Sequence, residues 1–427
     1  MIYTAHIGQK LLDTFNQANN TNLTPKLFFL DKFFPLFFGQ GKFMMPVGNS
    51  ALGAPKLRSG QIPDSASLKT RLTNLLNNIE NNPAHAVGVG FPSVGLNAPS
   101  SCQNINAGFP ITPDTNYLSW IGGACSIGVA GGQCIFVENP EILSILKQGW
   151  LVYRAKLSEN DNLKDLQISS WNGQYLAHYL DPRKPLSNIM DNILDKDNKI
   201  KPVLWTTLLS RLAIKYPETT TVFVGSFFGQ TDTTIGYILL KLGHIKEFFD
   251  YYSYLYADYL DDLDDIELVL SLATSFFEAC LSGSISLSDY KLVKYQNTKE
   301  LNKVLKKLND NIVLEKTLKT WIFAMTKDKE FIEMAPQFAL VLYHYAYNPN
   351  QSSRQGINVV NNLLQSKSKL EFGEILNTII KSTSDNANSE LLFKIFDKLN
   401  QITWDLFKWF VVCTQNEYLK LKKGIMV

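Results

Sequence analysis

The run Asp261-Asp262-Leu263-Asp264-Asp265 is the closest thing to an enzyme signature in this 427-residue chain. Its D-D-x-x-D spacing is one that can hold magnesium and a diphosphate on a helix, because hard cations prefer carboxylate oxygens. Such a site also needs a second acidic motif on a facing helix and arginines nearby, and the sequence offers neither. The simpler reading is an acidic helix–helix corner over Glu247–Glu267. Asp264 and Asp265 then favour the start of a helix over Ile266–Cys280.

Other catalytic patterns are missing. There is no phosphate-binding Walker loop, no H-E-x-x-H, no G-x-S-x-G and no dinucleotide glycine fingerprint. His6, His85, His178, His244 and His344 are scattered, with no Cys, His or Asp at ligand spacing. Cys102, Cys125 and Cys134 lack the close pairs that structural zinc uses, and read better as buried thiols. The expectation is a chain with no catalytic residues, no metal site and no cofactor.

Two basic features and one amide-rich loop suggest binding instead. Lys42, Lys56 and Arg58 lie in the glycine-rich stretch Gly39–Gly60, and Lys69 and Arg71 follow on the next helix. Lys299, Lys303, Lys306 and Lys307 line the polar face opposite an apolar stripe of Leu301, Val304, Leu305 and Leu308, with Lys291, Lys294, Lys316 and Lys319 close by. Stripes of this kind suit phosphates. The loop Gly95–Asn106 carries Asn97, Gln103, Asn104 and Asn106, whose amides match base edges in a groove. An ordinary solvated surface explains each feature equally simply.

The elements that must position these groups change character along the chain. Apolar Leu27–Phe38 is interrupted by Asp31, Lys32 and Pro35, and is too short to span a bilayer, so it reads as core. Leu68, Leu72, Leu75, Leu76 and Ile79 share one helical face over Ser67–Asn81, and Pro83 ends it. Residues 84–116 form a long polar segment. Tyr117–Glu138 reads as extended, with Gly131-Gly132 at a hairpin turn. Asn139 and Pro140 open a short helix that Gly149 would stop. Thr219–Phe228 is a second strand, after a flexible insertion at Asp191–Lys201.

From about Thr231 the apolar period becomes helical. Leu314, Leu318, Trp321, Ile322 and Met325 make one stripe, and Leu370–Ile380 and Leu391–Phe410 continue it. The expected fold is therefore α+β: an irregular mixed N-terminal domain with short antiparallel strands over 1–229, then an all-α helical bundle over 230–427.

Composition sets the frame. A hydrophobic fraction of 45% supports a large core, and a net charge of +2 confines any nucleic-acid contact to local patches. Five cysteines with no C-x-x-C, and no basic-then-apolar leader, point to a cytoplasmic protein without a membrane partner.

Three runs carry a family resemblance: Asn116-Tyr-Leu-Ser-Trp-Ile-Gly-Gly-Ala, Gly128-Val-Ala-Gly-Gly-Gln-Cys-Ile-Phe-Val, and Gly149-Trp-Leu-Val-Tyr-Arg. Together with the two-part organisation they resemble the middle of large subunits of type I CRISPR Cascade complexes. Some relatives carry paired C-x-x-C motifs that this chain lacks. The resemblance implies a non-catalytic role. The N-terminal domain would recognise the protospacer-adjacent motif in target double-stranded DNA and hold the 5′ end of the CRISPR RNA. The helical bundle would line the path of the DNA strands. Implied partners are the backbone and guide-end-binding Cascade subunits and a recruited effector. Some type I systems of this family also make a separate small subunit by internal translation, and here Met190, the only methionine between Met45 and Met325, would be its start. Two rivals stand beside this reading: an isoprenoid-synthase-like all-α enzyme using Asp261–Asp265, and a generic helical scaffold.

Overall fold

A computed structural model describes residues 2–47, 50–53, 63–83, 111–130, 133–181, 186, 189–219, 222–226, 237–240, 242–260, 316, 319–320, 323, 328–349, 352–383 and 385–424. They are mostly helical, with one small antiparallel sheet. The chain divides into two compact units, Met1–Lys246 and Glu247–Val427. The division falls after residue 246 rather than 229 because a last strand, beyond the expected boundary, belongs to the sheet of the first unit.

The first unit begins with α1 (Ile2–Asn19), which packs on α5 (Pro113–Gly123) with almost no side chains between them. A Cβ on Gly122 would lie 1.7 Å from the Thr4 carbonyl oxygen, and one on Gly8 would lie 2.0 Å from that of Leu118. Glycine alone allows this approach. The Thr4 and Ser119 hydroxyls pair across it at 2.7 Å.

The aromatic run expected to be core is core. It winds as α2 (Pro25–Phe28), a π-helical turn (Phe29–Phe33) and α3 (Phe34–Phe37). Phe28, Phe29, Phe33, Phe34, Phe37 and Phe38 are all buried. Phe33 and Phe37 stack at 4.3 Å, and Phe37 meets Trp150 edge-on at 4.9 Å. Edge-on contacts of this kind add to simple area burial. The expected helix over Ser67–Asn81 is α4 (Ser65–Asn81), capped by the Asp64 carboxylate on the Ser67 amide.

Three expectations fail nearby. The segment after Tyr117 is not extended throughout, because α5 occupies its first part. Thr112 caps α5 and Pro113 takes its first turn, and the helix is buried on nearly every side, so no apolar period marks it. Next, α6 (Pro140–Glu159) starts at Asn139 as expected but runs straight through Gly149. That glycine serves packing: a Cβ there would come within 2.6 Å of the Tyr175 ring on α7 (Ile168–Leu180). Finally, Asp191–Lys201 is not a flexible insertion. After a short α8 (Met190–Ile193) it forms a closed hairpin in which the Asp195 carboxylate accepts from the Asp197 and Lys199 amides. Asn198 takes the left-handed turn position at φ 56°.

The sheet runs β1 (Ile127–Val129), β2 (Gln133–Val137), β3 (Val222–Ser226), β4 (Tyr237–Leu240), with every neighbour antiparallel. Ile135 sits opposite both Ile127 and Val224. Between β2 and β3 the chain makes α6 to α8 and then α9 (Trp205–Lys215). β4 lies inside the stretch expected to be wholly helical. Asn172 ties α7 to the sheet: fully buried, its amide donates to the Ala124 and Ser126 carbonyls at 2.7 and 2.8 Å and accepts from the Trp150 indole. Such full satisfaction is what a buried amide requires.

In the second unit the described residues outside turns are helical. They include most of α10 (Leu242–Tyr256), then α11 (Lys329–Ala346), α12 (Ser353–Leu364), α13 (Lys369–Ser382), α14 (Asn386–Gln401) and α15 (Trp404–Lys422). The apolar run Leu391–Phe410 is two helices, broken at Ile402–Thr403. Phe331 stacks on Phe410 at 4.5 Å, and Phe372 meets Phe407 edge-on at 5.0 Å, which fixes α11, α13 and α15 around one core.

Candidate functional site

Two of the expected basic contacts turn out to be structural. The Lys42 ammonium donates to the carbonyls of Asn160, Asp161 and Leu163 at 3.1, 2.6 and 2.9 Å. All three of its protons are thereby used on backbone that ends α6, which leaves none for a phosphate. Arg71 is buried on the Leu75–Ile79 face of α4, where its guanidinium donates to the Leu52 carbonyl at 2.8 Å and to Ser67. Lys69 is exposed on the same helix. Lys56, Arg58, Asn97, Gln103, Asn104, Asn106, Lys299, Lys303, Lys306 and Lys307 lie outside the described residues, as do Asp261–Asp265, Cys102 and Cys280.

What sequence reasoning missed is a ledge of tyrosines and lysines in the second unit. The run Tyr251-Tyr-Ser-Tyr-Leu-Tyr-Ala-Asp-Tyr holds five tyrosines in nine residues, and that density was the available signal. Tyr254 is 56% and Tyr259 42% exposed. The Lys329 ammonium sits 4.0 Å above the Tyr254 ring and 5.9 Å from that of Tyr251, while Lys316 stands 5.2 Å from the Tyr259 ring. These are cation–π distances. Tyr251 and Tyr254 border a cleft of about 280 Å³ that also takes in Lys316, Lys319, Asp258 and Glu333. Glu333 pairs with Lys329 at 3.5 Å, and Lys319 approaches the buried Glu417 at 3.8 Å. The described part of the expected acidic corner is thus a mixed surface of aromatic faces and ammonium groups.

The first unit holds an open polar cleft of about 510 Å³ between Glu138, Asn139 and the Lys215–Thr219 turn. Two of its carboxylate neighbours are paired, while Glu218 is exposed. Glu138 accepts from His6 at 2.9 Å and meets Lys10 at 3.0 Å. Burial pushes the Glu138 carboxyl up, but the hydrogen bonds from His6 and Lys10 outweigh it and hold the group below the usual range. Glu141 accepts from the Tyr216 hydroxyl at 2.8 Å and lies 3.7 Å from Lys215. Burial, then the Glu141 bond, push the Tyr216 phenol up, away from proton transfer near neutral pH. Paired in this way, the groups brace the ends of α1, α6 and α9.

Cys125, Cys134 and Cys413 are buried thiols outside any disulfide, as expected for the first two. Burial pushes the Cys134 thiol up to about 12 and the Cys125 thiol further, so neither is a thiolate at neutral pH. Among the described residues no group of three His, Cys, Asp or Glu side chains is placed to hold a metal ion, and no helix is long and apolar enough to cross a membrane. No family model matches the chain, and neither a curated protein nor a solved structure matches it.

Proposed function

We propose that this chain is a non-catalytic, nucleic-acid-binding subunit of an RNA-guided DNA-targeting assembly of the type I CRISPR Cascade kind. The observation that carries the strand-binding part is the Tyr254–Lys329 and Tyr259–Lys316 ledge. Aromatic faces interleaved with ammonium groups are the usual means of holding a single strand without reading its sequence. The family part rests on the three sequence runs and on a sheet-bearing unit followed by helices.

In this reading the N-terminal domain recognises the protospacer-adjacent motif through the Asn97–Asn106 loop and holds the guide RNA end with neighbouring subunits, in the cytoplasm. The helical part supports the target or displaced strand. Guide pairing supplies the remaining specificity.

The deciding experiment is purification of the chain with its natural partners. Recovery of an RNA of one repeat–spacer length, together with other subunits, is the expected result. Recovery of a lone chain free of nucleic acid overturns the assembly reading. For the ledge, Tyr254→Ala is expected to cost roughly 1–3 kcal/mol in single-strand affinity, about 5- to 150-fold. An unchanged affinity removes the ledge from the binding path.

A further inference from the structure

The cleft beside the tyrosine ledge has a wall whose hydrogen bonding the folded chain leaves incomplete. Tyr251, Tyr254 and Leu255 line it from one face of α10, and Ile332, Glu333 and Pro336 line it from α11. Tyr251 is only 4% exposed, and among the described residues its hydroxyl has no hydrogen-bond partner. A buried hydroxyl left unpaired costs stability. Burial, and then the Glu333 charge, push the Tyr251 phenol up, so it keeps its proton and can donate at neutral pH.

The second gap is in the backbone. Pro336 stands inside α11 and has no N–H, so the Ile332 carbonyl, one turn earlier, lacks the donor that an unbroken helix would give it. Both residues line the cleft. The same wall therefore offers a hydroxyl that can donate and a carbonyl that can accept.

The charges around the cleft are mixed. Lys316, Lys319 and Lys329 repel a cation, while Asp258 and Glu333 repel a free anion. A neutral ring with an N–H donor beside a ring acceptor meets neither obstacle, and the Tyr251 and Tyr254 rings give it aromatic surface. The volume of about 280 Å³ lies at the small end of ligand pockets, which run from about 300 to 1,000 Å³. It has room for one ring system and not for a run of nucleotides.

We propose that this cleft takes one base of the bound single strand, with its pairing edge turned to the Tyr251 hydroxyl and the Ile332 carbonyl. The inference rests on the strand-binding reading of the ledge and adds hydrogen bonding to what is otherwise stacking alone. Unstacked bases are commonly held in this way, by their pairing edges and by aromatic faces together. Every base carries a donor next to an acceptor on that edge, so the contact holds a base without choosing among the four.

The test uses the full chain with two fluorescently labelled probes: a single-stranded DNA of mixed sequence, and an abasic strand of the same length and charge. Tyr251→Phe keeps the ring and removes only the hydroxyl. It should lower affinity for the mixed-sequence strand about 2- to 12-fold, the worth of one hydrogen bond at about 0.5–1.5 kcal/mol, and leave the abasic strand unaffected. Because the hydroxyl is buried and unpaired in the free chain, the same substitution should hold or raise the unfolding midpoint. Pro336→Ala, which returns an amide to the Ile332 carbonyl, should also weaken only the base-bearing strand. An affinity untouched by Tyr251→Phe, while Tyr254→Ala still weakens binding, overturns the base cleft and leaves the strand-binding ledge intact. Equal losses on both probes, or a lowered unfolding midpoint for Tyr251→Phe, also overturn it, since the hydroxyl then serves the strand backbone or the fold. A wild-type chain that binds neither strand at low salt overturns both readings. Oligolysine that binds the wild-type chain and is weakened by Tyr251→Phe, when the DNA is not, would give the cleft to a cationic partner and make the base assignment wrong.

Discussion

The guanidinium of Arg154 donates to the backbone carbonyl of Lys42 at 2.8 Å, and the side chain of Lys42 reaches back to the carbonyls that follow the helix of Arg154. Arg154 holds the backbone of Lys42, and Lys42 holds the backbone just beyond the helix of Arg154. Arg154 also holds the carbonyls of Leu36, Phe37 and Gln40, so one buried side chain closes the whole turn after α3. Two long basic side chains that look like surface charge in the sequence are here the stitching between the aromatic segment and α6.

This clamp makes a prediction that separates structure from binding. Arg154→Met takes the guanidinium away from four carbonyls; that of Phe37 keeps the Met44 amide at 3.0 Å, and each of the other three that stays dry costs about 1–3 kcal/mol. The first unit should lose several kcal/mol, read as a lower urea midpoint by tryptophan fluorescence from Trp120, Trp150 and Trp171. Lys42→Met should destabilise less, because its carbonyls are nearer to water, and should leave the salt slope of DNA binding unchanged. A reduced slope would return Lys42 to the list of phosphate contacts.

Gly122 is a second point where little can be substituted. An added Cβ would meet the Thr4 carbonyl at 1.7 Å and the Gly8 amide nitrogen at 2.6 Å, and both are backbone atoms of a packed helix. Overpacking commonly costs about 1–3 kcal/mol where side chains can yield, and here the helices themselves must part. Gly122→Ala should therefore exceed that range, whereas Gly424→Ala, with nothing within 4 Å but a φ of +68°, should cost far less. Thermal unfolding of the two variants makes the comparison. Equal losses would show that the α1–α5 contact is looser than drawn.

These cases show what the sequence could and could not reveal. Amphipathic α4 and the cap of α6 were legible, since surface helices announce their period and Asn139-Pro140 is a local signal. α5 was not, because a helix buried all round has no polar face to set a period. Gly149 read as a stop because local chemistry cannot report that Tyr175 will pack against it. The hairpin at Asp191–Lys201 has a polar, loop-like composition, yet its order comes from Asp195 bonding its own backbone and from tertiary bonds such as Gln167 Oε1 to the Ile200 amide at 2.7 Å. The same limit applies to sites. Nothing local marks Lys42 and Arg71 as bound to backbone carbonyls, and cation–π pairs join residues as distant as Tyr254 and Lys329.

The paired cleft gives a pH prediction. The Glu138 carboxyl is held below its ordinary range in the folded chain, since the bonds from His6 and Lys10 outweigh burial. A depressed carboxyl contributes stability that is present above its unfolded pKa, about 4.3, and is lost as pH falls through the folded value. Glu138→Gln should therefore increase hydrogen exchange in the α1 and β2 peptides at pH 7. The difference from wild type should shrink as pH drops below about 4. A difference that persists undiminished at pH 3 would mean that Glu138 acts by shape and not by charge.

The last prediction concerns an internal product starting at Met190. The polar hairpin after Met190 made that start attractive in the sequence, but the structure ties it into the first unit. Gln174 donates to the Lys201 carbonyl at 2.7 Å, and the Ala130 amide donates to that of Val203 at 2.8 Å. β3 lies between β2 and β4 with five residue pairs to β2, so a chain beginning at Met190 exposes that edge. It also separates Arg211 from Asp181, a pair 3.2 Å apart with side chains only 7% and 2% exposed. Breaking a buried pair from one side costs about 3–5 kcal/mol, because the remaining charge stays desolvated. The fragment 190–427, expressed alone, should be insoluble or show no protected amides in α9 and β3, and intact-mass analysis of the purified full chain should find no such species. A soluble fragment with protected β3 amides would show that the helices after Met190 rebuild this edge by themselves, and would restore the internal start.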